Sequence, residues 1–413
     1  MELYKSGGSI DVRKINYEVI SKIGFVCFYM AIIIEVLLVI VDKSNYTNPI
    51  EGRLFQITFV LCLLKVCTTR YTVRECVTGF LFCGLGAISY FVTGRNEIIR
   101  LVMLIAACKN VDMKQCLKLI FWLTFAGCAA IVLLSVTGIY GDASLTMDYG
   151  RGKVETRYTL GMGHPNALHC MVWALMTLGL YLYGNMMKWY HYIFVFIINF
   201  CVFLLSLSRT SFLAGVFTIA LFYLTGEGRP EKIKKVCAWI GTATMIGSVI
   251  LSVCIAANAY RVYNYDWHRW EEHDAITELF AKLNSILNGR IRILTENPGW
   301  EGSISSWSLF SKPGSNYYFD LGWVRLFYWY GIIPACIFIL ILFALIIYFY
   351  RRKKYSAIAL IAAFSLYTLI EAHAVSQYLA RNYIFFLIGM YWCQMLQKSE
   401  WQKDGINEEN IDC

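Results

Sequence analysis

Apolar runs recur from one end of the chain to the other, and polar residues are gathered into the intervals between them. Judged against the roughly 20 residues that cross a bilayer, the runs near 20–41, 54–66, 76–92, 96–108, 117–137, 166–183, 189–207, 210–224, 236–257, 321–349, 356–372 and 378–396 predict about twelve spans. The second, fourth and eighth are short, which predicts tilted or partly re-entrant helices. The expected fold is all-α, a polytopic membrane protein forming a single integral membrane domain over 1–413. Two intervals are long, 138–165 and 258–320, and loops of such length are usually functional. Within the second, apolar residues at 276, 279, 280, 283, 286 and 287 repeat with a helical period over Ala275–Asn288. That spacing predicts an amphipathic helix lying on the membrane surface. The intervals on the opposite side are short and leave no room for an ATPase or nucleotide-binding domain.

Composition agrees with the pattern. The chain is 58% hydrophobic and only 16% charged, with a mean hydropathy of +0.53, whereas soluble domains carry about 25% charged residues. The segment from Met1 to Lys22 is mixed polar, and no cleavage site follows the first apolar run, so that run is expected to be a retained helix. Of the 15 cysteines, most, such as Cys27, Cys62, Cys83, Cys201 and Cys254, lie inside apolar runs and behave as small hydrophobes. No CxxC or Cys/His spacing suggests a disulfide framework or a metal site.

Charge sets the expected orientation. If both termini are cytoplasmic, 15 lysines fall inside and 4 outside, as the positive-inside rule requires. Lys109, Lys114 and Lys118, the Arg229–Lys235 segment and Arg351–Lys354 all lie on that inner side. The arginines run the other way, with 6 inside and 12 outside. Guanidinium grips phosphate through a bidentate fork, whereas ammonium acts as a point charge. The outer arginines therefore suggest an anionic substrate, with Arg53, Arg261 and Arg269 set aside as ordinary loop residues. The expected location is the cytoplasmic membrane, and nothing suggests a nucleic-acid partner.

The densest polar motif is Arg157-Tyr158-Thr159-Leu160-Gly161-Met162-Gly163-His164-Pro165-Asn166, directly before a membrane-entering helix. Pro165 fits the first turn of a helix. Arg157, His164 and Asn166 are candidates to bind a charged or polar substrate. Ser208-Arg209-Thr210 sits in a very short outer turn, where Arg209 either binds the substrate or snorkels to the interface. In Asn288-Gly289-Arg290-Ile291-Arg292, an extended backbone would turn Arg290 and Arg292 toward one anion. Asp320 precedes the tenth run, as a helix cap or a site residue, with Arg325 just beyond. Glu371, His373 and Arg381 fall in or beside the outer turn where the last two runs meet. Ionisable groups at membrane depth are costly, so Glu35, Arg100 and Glu371 are expected to face the bundle or a wet cavity. Glu35 is equally well explained as a structural partner for a basic residue on another helix.

No P-loop, GxGxxG, HExxH or GxSxG element is present, nor the Asp-x-Asp of many nucleotide-sugar transferases. On the motifs above, continued by Asp320 and an aromatic-rich helix through Gly331-Ile332-Ile333-Pro334, the chain resembles the O-antigen polymerase and ligase superfamily. The likeness is to the Wzy-type polymerases of capsular and exopolysaccharide pathways. It covers about 150–350, with the hydropathy profile extending to the ends. The resemblance implies an inverting glycosyl transfer without metal or other cofactor, in which one undecaprenyl-diphosphate-linked oligosaccharide is donor and another is acceptor. It makes Arg209 and Arg290 the leading diphosphate ligands and implies work alongside a flippase and a chain-length regulator. His164 is the first candidate for a general base, since histidine titrates near neutral pH; His268, His273 and His373 are the others. A ligase would share almost every motif, and a transporter or flippase of the same lipid-linked saccharide would also use a basic, aromatic cavity.

Overall fold

The computed structural model describes residues 12–148, 154–267, 272–296 and 300–396. They are mostly helical. In order the helices are α1 (Val12–Lys43), α2 (Glu51–Cys67), α3 (Val73–Thr93), α4 (Glu97–Ala107), α5 (Met113–Val136), α6 (Pro165–Tyr183), α7 (Trp189–Ser206), α8 (Arg209–Thr225), α9 (Glu231–Trp267), α10 (Ala275–Ile286), α11 (Ile293–Glu296), α12 (Gly322–Tyr330), α13 (Ile332–Arg351), α14 (Tyr355–Ile370) and α15 (Tyr383–Leu396). By length and composition seven of them can cross a membrane: α1, α3, α5, α6, α7, α9 and α13. The shorter α8, α14 and α15 are also apolar. At about 1.5 Å per residue, the 11 residues of α4 reach only about half of the roughly 30 Å hydrocarbon core.

Local chemistry fixes the helix ends. Thr72 and Glu75 form a capping box at the start of α3, and Gly94 closes it in the left-handed region. Asp112 caps α5 and Asp274 caps α10 through their side chains. α14 is buried along nearly its whole length, packed by α6, α8, α9 and α12. Large apolar side chains such as Phe80, Phe91, Phe194 and Trp239 point outward from the bundle, the arrangement expected where lipid is the solvent.

The turns sort into two groups by their contacts. At one end Tyr71 donates to the Ala106 carbonyl (2.9 Å), Lys109 pairs with Glu75 (2.5 Å), and Tyr355 donates to Glu231 (2.5 Å). At the other, Gly163 N–H donates to the Lys43 carbonyl (2.9 Å), Arg95 to the Ser315 carbonyl (2.8 Å) and Gln377 to Glu51 (2.6 Å). This second end gathers the two long intervals and most of the candidate site.

Two expectations need correction, and a third interval gains detail. The run 321–349 is two helices, broken at Gly331 (φ +94°). A Cβ there would come within 2.5–2.6 Å of the backbone of Leu309, Phe310 and Ser311, so glycine admits the loop and the helix must break. The interval from 258 opens with helix, because α9 runs on to Trp267; its 37 residues span about 55 Å and overshoot the bilayer core. The interval 138–165 is the one that gains detail. It carries an antiparallel hairpin of β1 (Ser144–Asp148) and β2 (Val154–Tyr158), with Thr146 facing Thr156.

Candidate functional site

The motif before α6 is first a piece of architecture. Gly161 (φ +79°) lies so close to α5 that a Cβ would meet Ile131 and Ser135 at 2.9 Å. Met162 bridges to Ser44, just past the end of α1. His164 is the N-cap of α6: its Nδ1 accepts the Asn166 backbone N–H at 3.1 Å, with Pro165 at the first helical position. The chain is thereby pinned between α1 and α5, and the first turn of α6 brings Asn166 to Glu371.

Four other elements deliver charge to the same place. Arg290, in the turn between α10 and α11, is buried and donates from Nε to Asp320 Oδ2 (3.1 Å) and from Nη2 to Glu371 Oε1 (2.5 Å). Asp320 stands just before α12, and Glu371 ends α14. Asn166 Nδ2 donates to the same Glu371 oxygen at 3.3 Å. Lys43, the last residue of α1, has no carboxylate within ion-pair distance among the described residues, and its charge acts on Glu371, His164 and His373. The structure therefore brings together His164, Asn166, Arg290, Asp320 and Glu371, and adds Lys43.

Electrostatics differ from group to group. Burial, and then the Asp320 charge, push the Glu371 carboxyl up to about 7 against the opposing pull of Arg290, Lys43 and Arg325. Burial lowers His164, with Arg157, Arg290 and Lys43 adding to it against Asp320. A neutral ring whose Nδ1 accepts the cap bond carries its proton on Nε2. With its proton on Nε2, His164 has a donor and no acceptor left, the opposite of what a base requires. His373 lies deeper, edge-on to the Trp173 and Tyr367 rings, and burial holds it neutral with a pKa of about 3.

The remaining candidates go elsewhere. Arg292 does not share an anion with Arg290. The backbone there is a series of turns, not extended, and Arg292 swings out to Glu296 (2.5 Å) and Asp266 (3.8 Å). Arg381 pairs with Asp42 and donates to Ser376 Oγ at 3.0 Å, tying the α14–α15 turn to the end of α1. Arg325 is buried and donates to the Phe319 carbonyl from Nε (2.9 Å) and Nη2 (2.5 Å). It acts on the site by fixing the residue before Asp320. Arg157 is buried in β2 and paired with Glu155 at 2.8 Å. Arg209, at the start of α8, is exposed and has no ion pair among the described residues. Its turn is held by Leu207 in the left-handed region (φ +51°), and Ser208 donates to Ser211, which bonds Tyr367 one turn below Glu371 (3.1 Å). His273 stacks on Tyr265 away from the cluster, and His268 lies outside the described residues.

Lys43 is the group that sequence reasoning passed over. Its one signal is that it is among the few lysines on the arginine-rich side. Lys43 and Arg290 act on Glu371, and Arg209 stands at the same end of the bundle, as do the N-terminal ends of α6 and α8. Cations and helix N-termini both favour an anion. Among the described residues no group of three or more His, Cys, Asp or Glu has the arrangement of a metal site. Compared with family models, with curated proteins and with solved structures, the chain has no match.

Proposed function

We propose that the protein is a membrane glycosyltransferase that polymerises undecaprenyl-diphosphate-linked oligosaccharide repeat units into capsular or exopolysaccharide at the outer face of the cytoplasmic membrane. The reading takes α12 and α13 as one broken span, counts twelve spans, and sets both termini in the cytoplasm. The observation that carries it is the gathering of Lys43 and Arg290 around Glu371, with Arg209 at the same end of the bundle, the end that holds the long loop. In glycosyl transfer from a lipid diphosphate, breaking the anomeric C–O bond puts negative charge on the departing diphosphate. Fixed guanidiniums and helix N-termini aimed there lower the barrier. His164, with its proton on Nε2, acts as a donor to substrate. The leaving group supplies the driving force, so no nucleotide is needed.

Purified protein in detergent is expected to lengthen a matched lipid-diphosphate-linked repeat unit without nucleotide, membrane potential or divalent metal. Cysteine labelling from outside intact cells is expected near Lys312 and not near Lys234 or Lys353; the reverse would overturn the orientation. The break at Gly331 favours one rival, since transporters build substrate sites from discontinuous helices. Movement of the lipid across liposome bilayers with no chain growth in detergent would establish that rival.

A further inference from the structure

The most buried cation of the site is already occupied. Arg290 spends Nε on Asp320 (3.1 Å) and Nη2 on Glu371 (2.5 Å), the same fork that a diphosphate requires. The guanidinium side chain is 5% exposed, whereas Glu371 is 14% and Asp320 42% exposed. The two carboxylates are thus more exposed than the guanidinium and take up its Nε and Nη2, so an anion that uses that fork must displace them.

We propose that Asp320 and Glu371 form an acidic clamp that occupies Arg290 in the empty protein, that the substrate diphosphate displaces the clamp, and that the released Glu371 carboxylate then accepts the proton of the acceptor hydroxyl. The proposal rests on the glycosyl-transfer reading above. In the step, the acceptor oxygen bonds the donor's anomeric carbon while the C–O bond to the diphosphate breaks and its electron pair leaves with the diphosphate. The hydroxyl proton passes to Glu371 and from there to the departing diphosphate or to water. Without the clamp, a buried Arg290 would stand as an uncompensated charge in the empty protein, which is costly.

The groups around Glu371 fit this part. Facing it are Lys43 from α1, Asn166 and Cys170 from α6, Arg290 from its turn, Asp320 and Arg325 around the start of α12, and Tyr367 on its own helix. Burial and Asp320 already hold its pKa near 7, where a general base works best at neutral pH. Loss of Arg290 to the diphosphate removes an opposing cation and makes the carboxylate more basic. His164 does not compete for the role, because its Nδ1 lone pair is held by the helix cap.

The test measures binding and turnover separately on the full-length protein in detergent. The binding probe is a prenyl-diphosphate-linked sugar, whose phosphates do not titrate between pH 6 and 8. Glu371→Gln keeps an oxygen for Asn166 but cannot hold Arg290 by charge. It is expected to bind the probe about tenfold tighter, about 1.4 kcal/mol, and to lose about 10²–10⁴-fold in kcat. Asp320→Asn should also bind tighter, with a smaller loss of kcat. For the unsubstituted protein, which no substitution can misfold, binding should tighten as pH falls from 8 to 6, because protonated Glu371 releases Arg290. Unchanged or weaker binding in Glu371→Gln, or weaker binding on acidification, overturns the clamp. Wild-type kcat in Glu371→Gln overturns the proton acceptor. If binding behaves as expected but the unsubstituted protein lengthens no matched substrate, the glycosyl-transfer reading and the proton acceptor fall together while the clamp stands.

Discussion

Two clusters of acid and arginine lie inside this end of the bundle, and they differ in one respect. Arg100 on α4 donates to Glu35 on α1 (2.7 Å) and to the Gln377 carbonyl (3.0 Å), and it covers the Phe55 ring. Thr58 on α2 donates to the same Glu35 oxygen at 2.7 Å. Each charged side chain is 4% exposed. The cluster of Arg290, Asp320 and Glu371 uses the same chemistry, but its carboxylates keep access to solvent. The first pair is closed on every side by helices and can only hold α1, α2, α4 and the α14–α15 turn together. The second has a door. Buried charge is thus structural or chemically available according to whether one partner can be exchanged for something from outside.

The largest expected effect comes from breaking the closed pair. Arg100→Leu leaves Glu35 buried and unpaired, which typically costs about 3–5 kcal/mol, and thermal unfolding in detergent should show that loss. A variant as stable as the parent would mean that the pair is not closed. At the open cluster the loss should appear in rate instead. Arg290→Lys and Arg209→Lys are each expected to slow chain growth about 10²–10³-fold with normal expression, because a point charge does not replace a planar fork. Full activity in both would remove these side chains from the proposed diphosphate site.

The pH profile sharpens the same contrast more gently. In the proposed role Glu371 accepts a proton only when ionised, so kcat/KM should rise with pH through about 7, and Glu371→Gln should lack that limb. The stability term has the opposite sign. A carboxyl raised above its unfolded value of about 4.3 leaves the folded state holding more protons between that value and about 7. Its contribution is therefore present at low pH and lost as pH rises through that window. The smallest effect is expected at Arg53, exposed on α2, where Arg53→Lys should leave both activity and stability within error.

Much of this was legible in advance. Glu35 was open between a wet cavity and a partner on another helix, and α4 supplies that partner. Asp320, Glu371, Arg290, His164 and Asn166 were singled out from four separate stretches, because charge beside an apolar run is conspicuous. Which of them meet was not legible. Arg290 and Arg292 are chemically equal in the sequence, and only the turn before α11 sends one inward and the other to Glu296. Arg325 and Arg381 looked like ligands, but they are spent on backbone carbonyls and on Asp42. Lys43 was invisible because a lysine closing an apolar run is the commonest thing a membrane protein shows.

Hydrophobic length and charge placement along the chain already make this a mostly helical protein with several spans' worth of apolar helix and with arginine and lysine gathered in different turns. Those properties follow from hydrophobic length and from the cost of charge in lipid, both of which are local and additive along the chain. The break between α12 and α13, the capping role of His164 and the hold of Asp320 and Glu371 on Arg290 arise in the packed fold. A helix break depends on what packs against Gly331, a tautomer on what its other nitrogen touches, and an ion pair on partners 30 and 81 residues away. Each is a property of contact between segments, and no single segment carries it.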